Sequence, residues 1–318
     1  MSDISELIQF IRKEFNQSLH SFPLPNHPKY LYGPIRYALK GKGKRFRPIL
    51  VHLSGRAFKT DPNDIMKISL AVELLHCFTL IHDDIMDSDD LRRNMPTLHK
   101  KYDISSAILA GDGIFTISQL VLNSIGNKPE IFLQSYNETV LEICEGQALD
   151  KYFENKENIS LKQYIEMVEK KTGSLLAACA YMPATLSGKP NNIIDELKYI
   201  GKQLGIAFQI QDDLFEIFGD ESIIGKSLGS DIFSNKKTAI AIEAKNKFPS
   251  EWDNIVEQFD GKSLAYIRNF LSENKIRDKV EALADDCFKS AYNSLSSLGF
   301  DKKSALYRFF KIIQGRHA

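Results

Sequence analysis

Apolar positions in this chain recur three and four residues apart over long stretches, the period of a helix with one buried face. In "DPNDIMKISLAVELLHCFTLIHDD" the recurring set is Ile65, Ile68, Val72, Leu75 and Thr79. In "NIIDELKYIGKQLGIAFQIQDDLFEIFGD" it runs from Ile194 through Leu197, Ile200, Leu204 and Phe208. Prolines crowd the early chain (Pro23, Pro25, Pro28, Pro34, Pro48) and then thin out, with none between Pro129 and Pro183 or after Pro249. Proline breaks a helix interior, so these proline-free stretches read as helices. Runs of alternating β-branched residues bounded by turns are essentially missing. The Gly-containing segments "GKGKRFRP", "SGKPNN" and "GDESIIGKSLGSD" are short enough to be interhelical loops. The pattern predicts an all-α chain, and no linker divides it. A single domain over residues 1–318, with about ten or more helices, fits better than the two domains that length alone suggests.

Composition narrows the class. The chain is 43% hydrophobic and 26% charged, ordinary for a globular protein with a sizeable core. Lys plus Arg and Asp plus Glu both number 41, so the basic excess expected of a sequence-independent nucleic-acid binder is missing. Cys77, Cys144, Cys179 and Cys287 lie far apart with no CxxC pair, which argues against a zinc site or disulfide framework and suits a reducing compartment. The start, "MSDISELIQF", carries acids and no basic region ahead of an apolar block, so no signal peptide is expected. No uninterrupted apolar run approaches the roughly 18 residues of a transmembrane segment. A cytoplasmic protein is the expectation.

Charge is clustered, however, and the clusters carry the chemistry. Asp83 and Asp87 are four apart, so on a helix both carboxylates project from one face, with Asp84 beside them. Acids at a helix C-terminus oppose the macrodipole, which makes five of them in "DDIMDSDD" costly without a cation. Oxygen-only ligands suit Mg²⁺ or Mn²⁺, and magnesium prefers one or two carboxylates completed by phosphate oxygens and water. "FQIQDDLFEIFGD" repeats the device: Asp212 and Glu216 are four apart, with Asp213 adjacent. One such motif is weak. Two, each closing a long apolar helix, are a much stronger signal. If the helices face each other, the carboxylates surround one cavity mouth and repel without metal.

Basic groups accompany these clusters. Lys44, Arg45 and Arg47 precede Pro48, a residue suited to a helix's first turn, where dipole and charge together favour an anion. Arg92 and Arg93 follow the first cluster, Lys170 and Lys171 precede Thr172, and Lys226, Lys236 and Lys237 follow the second.

The ordered motifs "GKGKRFRP", "HDDIMDSDDLRR", "CEGQALD", "KKTGSLL", "FQIQDDLFE" and "GKSLGSDIFSNKKTA" resemble the trans-isoprenyl diphosphate synthases of the polyprenyl synthetase family, from about Tyr32 to Arg316. The resemblance implies a helical bundle of the isoprenoid synthase type around a central cavity, usually homodimeric. It implies prenyl transfer from dimethylallyl, geranyl or farnesyl diphosphate to isopentenyl diphosphate, with Mg²⁺ as cofactor, three ions with substrate bound. Carried over, Asp83, Asp84, Asp87, Asp212, Asp213 and Glu216 serve the metal. Arg92, Lys171 and Lys226 grip the allylic diphosphate, while Lys44, Arg47, His76 and Arg93 hold that of isopentenyl diphosphate; Lys236 joins the substrate-binding set. Thr172 and Gln209 stand near the developing allylic cation. Three positions depart from the family pattern: Lys42 replaces the first of two glycines, Asn94 the Gly after the arginine pair, and Glu216 the third Asp.

Each isoprene unit buried in an apolar tunnel contributes roughly 3–4 kcal/mol, so elongation needs a steric floor. On an ideal wheel Thr79 lies below Asp83 while Phe78 points to the side. By family analogy, an aromatic at Phe78, a small residue at Thr79 and no insertion in the first motif resemble short-chain enzymes, geranylgeranyl diphosphate favoured and farnesyl diphosphate next. The alternatives are a class I terpene cyclase, which would carry an Asn/Asp-Ser/Thr-Glu triad on the second helix, and a non-catalytic subunit of a hetero-oligomeric synthase, which typically loses one acidic motif. Here the triad is missing and both motifs are present.

Overall fold

The computed structural model describes residues 2–41, 43–126, 129–219, 229–234, 236–259 and 264–315, so Lys42 and Lys226 lie outside the described residues. The described chain is helical apart from one two-residue-by-two-residue hairpin. It divides into two compact units, Met1–Asn137 with Ala178–Asp195, and Glu138–Ala177 with Glu196–Ala318.

The first unit is built on α4 (Pro62–Met86). Asp61 starts it: its side chain accepts from the backbone N–H groups of Asn63 and Asp64, and Pro62 supplies a preset first-turn φ. Ile65, Ile68, Val72 and Leu75 are buried, as the periodicity predicts. They pack against α3 (Phe46–Ala57) and, most extensively, α6 (Ile104–Asn123). Both approaches are close: a Cβ on Gly55 would lie 2.4 Å from Ile65 Cγ1, and one on Gly111 2.3 Å from His82 Nε2. α1 (Ser2–His20), α2 (Lys29–Leu39) and α5 (Leu98–Lys101) complete this layer. By length and composition α4 and α6 are both apolar enough to cross a bilayer, yet they are each other's main packing partners and α4 ends on aspartates.

After α4 the chain makes an antiparallel hairpin of β1 (Leu91–Arg92) and β2 (Met95–Pro96), register Arg92↔Met95. Its two-residue turn puts Arg93 and Asn94 at φ 54° and 60°. That geometry suits the glycine that the resemblance implies at position 94, and asparagine adopts left-handed backbone more readily than other non-glycine residues. The hairpin is an addition to the all-α expectation, too short to show alternation.

In the second unit, α10 (Asn191–Phe218) approaches α9 (Ser174–Leu186) backbone to backbone at Gly201, and α7 (Pro129–Glu154) approaches the turn just before α9 at Gly146. α8 (Leu161–Val168) is started by a Ser160/Gln163 capping box and runs into a π turn, Glu169–Gly173, before α9. A Cβ on Gly146 would meet Lys171 N at 2.3 Å, and one on Gly205 would meet Gly173 Cα at 2.4 Å. The remaining helices are α11 (Ser230–Phe233), α12 (Ala239–Lys247), α13 (Pro249–Gln258), α14 (Ala265–Glu273), α15 (Ile276–Ser297) and α16 (Ala305–Gln314).

Gly205→Ala forces a methyl into the backbone of the π turn. It is expected to lower unfolding free energy by roughly 1–3 kcal/mol, the usual cost of overpacking, read by denaturant titration; an unchanged midpoint would show that the turn yields. On α3, burial and then the Arg56 cation hold His52 down to about 4 from 6.5. The unfolded chain therefore takes up this proton first as pH falls, and the stability contributed by neutral His52 is lost between 6.5 and about 4. His52→Gln is expected to flatten the acid limb of a stability-versus-pH curve in that window by up to about 1.4 kcal/mol per pH unit.

Candidate active site

In the first unit α4 delivers its acids at its C-terminal end. Asp83 and Asp87 are half-buried, whereas Asp84 is buried at 5% exposure. Arg92, coming back from the hairpin, donates from Nε to Asp84 Oδ1 at 2.5 Å and lies 3.5 Å from Asp89 Oδ2 through Nη2. Burial pushes Asp84 up to about 6; Arg92 opposes this, while Asp89 and Asp83 add to it by repulsion.

The basic set gathers against the same helix. Arg45, the αL residue before α3, forms an ion pair with Glu73 and donates to Gly41 O at 2.8 Å and Asn16 Oδ1 at 3.0 Å. Arg45 thereby ties to α4 the loop that carries Lys44 and leads into Arg47 at the start of α3, leaving Lys44 exposed. Arg93 lies across that loop, and a Cβ on Gly43 would come within 2.9 Å of its Nη1. Arg45, Glu73, His76, Asp84, Arg92 and Arg93 all line one cleft.

His76 Nε2 is 3.2 Å from Arg47 Nη1. A guanidinium only donates, so Nε2 accepts and the ring proton resides on Nδ1. Burial first, then Arg47 and Arg93, keep this imidazole neutral, well below its ordinary value. Thr79 Oγ1 donates to His76 O at 2.9 Å. Phe78 heads an aromatic row, 5.3 Å from Phe115, which in turn stacks 6.2 Å from Tyr136.

In the second unit α10 ends on Asp212 and Glu216, both half-buried, and on Asp213, buried at 4%. Three donors surround Asp213: Tyr164 Oη at 2.6 Å, Ala239 N at 3.1 Å and Gln209 Nε2 at 3.1 Å. Thr172, in the π turn, donates to Gln209 Oε1 at 3.3 Å. Lys171 pairs with Asp150 at 2.6 Å, and Lys236 lies 3.5 Å from Asp231. The motif "CEGQALD" thus supplies Gly146, over which the Lys171 backbone passes, and Asp150, which holds its ammonium.

Sequence reasoning missed Glu73 and Tyr164. A charged residue at a core position of an apolar helix was the available signal for Glu73. Nothing in the sequence marked Tyr164. Burial pushes Cys77 and Cys179 up to about 12, so neither is a thiolate nucleophile.

Among the described residues no three His, Cys, Asp or Glu side chains converge into a protein-only metal cage. The donors still fit Mg²⁺: each helix end offers carboxylates only, and the mutual repulsion of Asp83, Asp84 and Asp89 is what a divalent cation would relieve.

Comparison with known proteins places this geometry. Residues 28–270 match the family described as polyprenyl synthetase. The chain is 32% identical over 308 residues to the geranylgeranyl diphosphate synthase of Sulfolobus acidocaldarius, covering 94% of this chain and 93% of that one. It is 39% identical over 256 residues to the geranylfarnesyl diphosphate synthase of Natronomonas pharaonis, covering 74% and 75%. The crystal structure of geranylgeranyl pyrophosphate synthetase from Pyrococcus horikoshii matches with a TM-score of 0.90 at 31% identity, over 99% of both chains. The all-α fold, the order of the motifs and these matches along most of the chain lead to one conclusion: the chain belongs to the polyprenyl synthetase family.

Proposed function

We propose that the chain is a short-chain trans-prenyltransferase that condenses isopentenyl diphosphate with an allylic diphosphate, geranylgeranyl diphosphate being the favoured product. The observation that carries this reading is the first unit's pairing of a helix-borne carboxylate pair, Asp83 and Asp87, with Arg47, His76, Arg92 and Arg93 around the same helix.

Asp83 and Asp87 in the first unit, and Asp212 and Glu216 in the second, would each hold Mg²⁺, with three ions in all when substrate is bound. When bound, magnesium neutralises diphosphate charge as the allylic C–O bond breaks. The chain's own groups do the rest. Arg92, fixed by Asp84, and Lys171, fixed by Asp150, present charge to the allylic diphosphate. Lys44, Arg47 and Arg93 hold isopentenyl diphosphate, Lys226 joins the cations on the allylic diphosphate, and Lys236 is a further substrate-binding cation. Neutral His76 accepts from Arg47 and so orients its guanidinium. The isopentenyl double bond then attacks the allylic cation, and the proton lost passes to the departing diphosphate. Positioning and electrostatics suffice, with no covalent intermediate on the enzyme. Exposed apolar side chains along α6, at Ile104, Ile108, Leu109 and Leu120, support action as a homodimer.

Asp83→Ala is expected to reduce kcat by roughly 100-fold or more and to weaken Mg²⁺-linked binding of a diphosphate analogue, measured by calorimetry. Condensation at the wild-type rate would remove the motif from catalysis. Phe78, with Thr79 below Asp83, is proposed as the steric floor. Phe78→Ala is expected to lengthen the product by at least one isoprene unit, read by chromatography of the dephosphorylated alcohols. A variant of normal activity and unchanged product length would take Phe78 out of length control.

A further inference from the structure

Asp213 stands beside a proposed metal ligand, yet its surroundings differ from those of Asp212. Its carboxylate is buried, and the two oxygens share three protein donors on α8, α10 and the first residue of α12. A carboxylate has about four acceptor sites, so little is left for a cation. Tyr164, the closest of the donors at 2.6 Å, is itself 2% exposed.

The consequence runs along the chain of bonds. With Asp213 ionised, Oδ1 accepts, and the side of Gln209 turned toward it is the amide nitrogen. Its carbonyl oxygen is therefore turned to Thr172, and the Thr172 hydroxyl hydrogen is committed to it. The lone pairs of Thr172 Oγ1 are not used by that bond. Reversing the Gln209 amide would set an oxygen against the carboxylate and turn the Thr172 hydroxyl around. The π turn places Thr172 next to Lys171, the proposed diphosphate cation, so the polarity of this hydroxyl matters where positive charge develops.

We propose that Tyr164 and Asp213 form a positioning pair that sets the polarity of Gln209 and thereby turns the oxygen lone pairs of Thr172 toward the allylic cation, and that Asp213 acts in this way rather than as a metal ligand. The inference rests on the prenyltransferase reading. It gives the two adjacent aspartates of α10 separate tasks: Asp212 faces the metal, and Asp213 faces the protein.

The test uses the full chain and Tyr164→Phe, Asp213→Asn, their double variant and Asp212→Asn, each first shown to be folded by circular dichroism and thermal unfolding. Mn²⁺ binding in the presence of inorganic diphosphate is titrated for all of them. The expected result is a loss of at least about tenfold in affinity for Asp212→Asn and less than about twofold for Asp213→Asn and Tyr164→Phe. A loss in Asp213→Asn equal to that in Asp212→Asn would make Asp213 a ligand and overturn the proposal. In steady-state assays with Mg²⁺, Tyr164→Phe and Asp213→Asn are expected to lower kcat about 10- to 100-fold with KM for isopentenyl diphosphate unchanged, and the double variant to match the worse single one. In a Thr172→Val background Tyr164→Phe should have no further effect, while Thr172→Ser should restore its full effect. Additive losses, or Tyr164→Phe at wild-type kcat, would also overturn the pair. Should the folded wild-type protein condense no substrates, the prenyltransferase reading fails, and the Mn²⁺ titration alone then decides whether Asp213 is a ligand.

Discussion

Carboxylates at a helix C-terminus repel one another and the negative end of the macrodipole, and α4 and α10 each end on three of them. Each unit resolves this crowding in the same manner. One carboxylate is drawn into the protein and partnered there, Asp84 by Arg92 and Asp213 by three donors, while its neighbours remain half-buried. A buried carboxylate is tolerable only with such partners, and the partners are groups whose placement matters: Arg92 in one unit, Tyr164 and Gln209 in the other. The acid that looks redundant beside its neighbour thus positions the cation or amide next to it. The crowding that remains on Asp83, Asp87, Asp212 and Glu216 suits a cation supplied with substrate, which agrees with magnesium's preference for incomplete protein coordination.

Reaching that arrangement requires elements packed more tightly than side chains allow. Gly146 and Gly205 admit the backbone of the π turn, and Gly43 admits the guanidinium of Arg93. The π turn is where α8 passes into α9, and it sets the direction of Lys171 and Thr172 together. An ordinary α-helical turn would rotate the two side chains differently about the axis, since a π turn carries one extra residue. Asp150 and Gln209 then fix the two side chains that the turn presents.

Much of this was legible beforehand, because the strongest signals were periodic or repeated. Ile65, Ile68, Val72 and Leu75, and likewise Ile194, Leu197, Ile200 and Leu204, are buried as their spacing requires. The acidic motifs stand at the ends of the helices they were expected to close. Position 94 was marked as a departure from glycine, and its positive φ gives the reason. The hairpin itself escaped notice, since two residues per strand are too few for alternation to register. Glu73 and Tyr164 were missed for a different reason: their partners, Arg45 and Asp213, are 28 and 49 residues away in the chain.

The sequence by itself determined the class of fold, the two carboxylate clusters and the kinds of ligand that such clusters attract. These are properties of residue type and local spacing, and a helix converts spacing into direction without outside help. Only the tertiary structure decided which carboxylate of each adjacent pair turns inward, which way the Gln209 amide points, and that His76 accepts from Arg47 rather than donating through Nε2. Those choices depend on donors brought from distant segments into water-poor surroundings, where an unpartnered polar group is costly and each partner constrains the next.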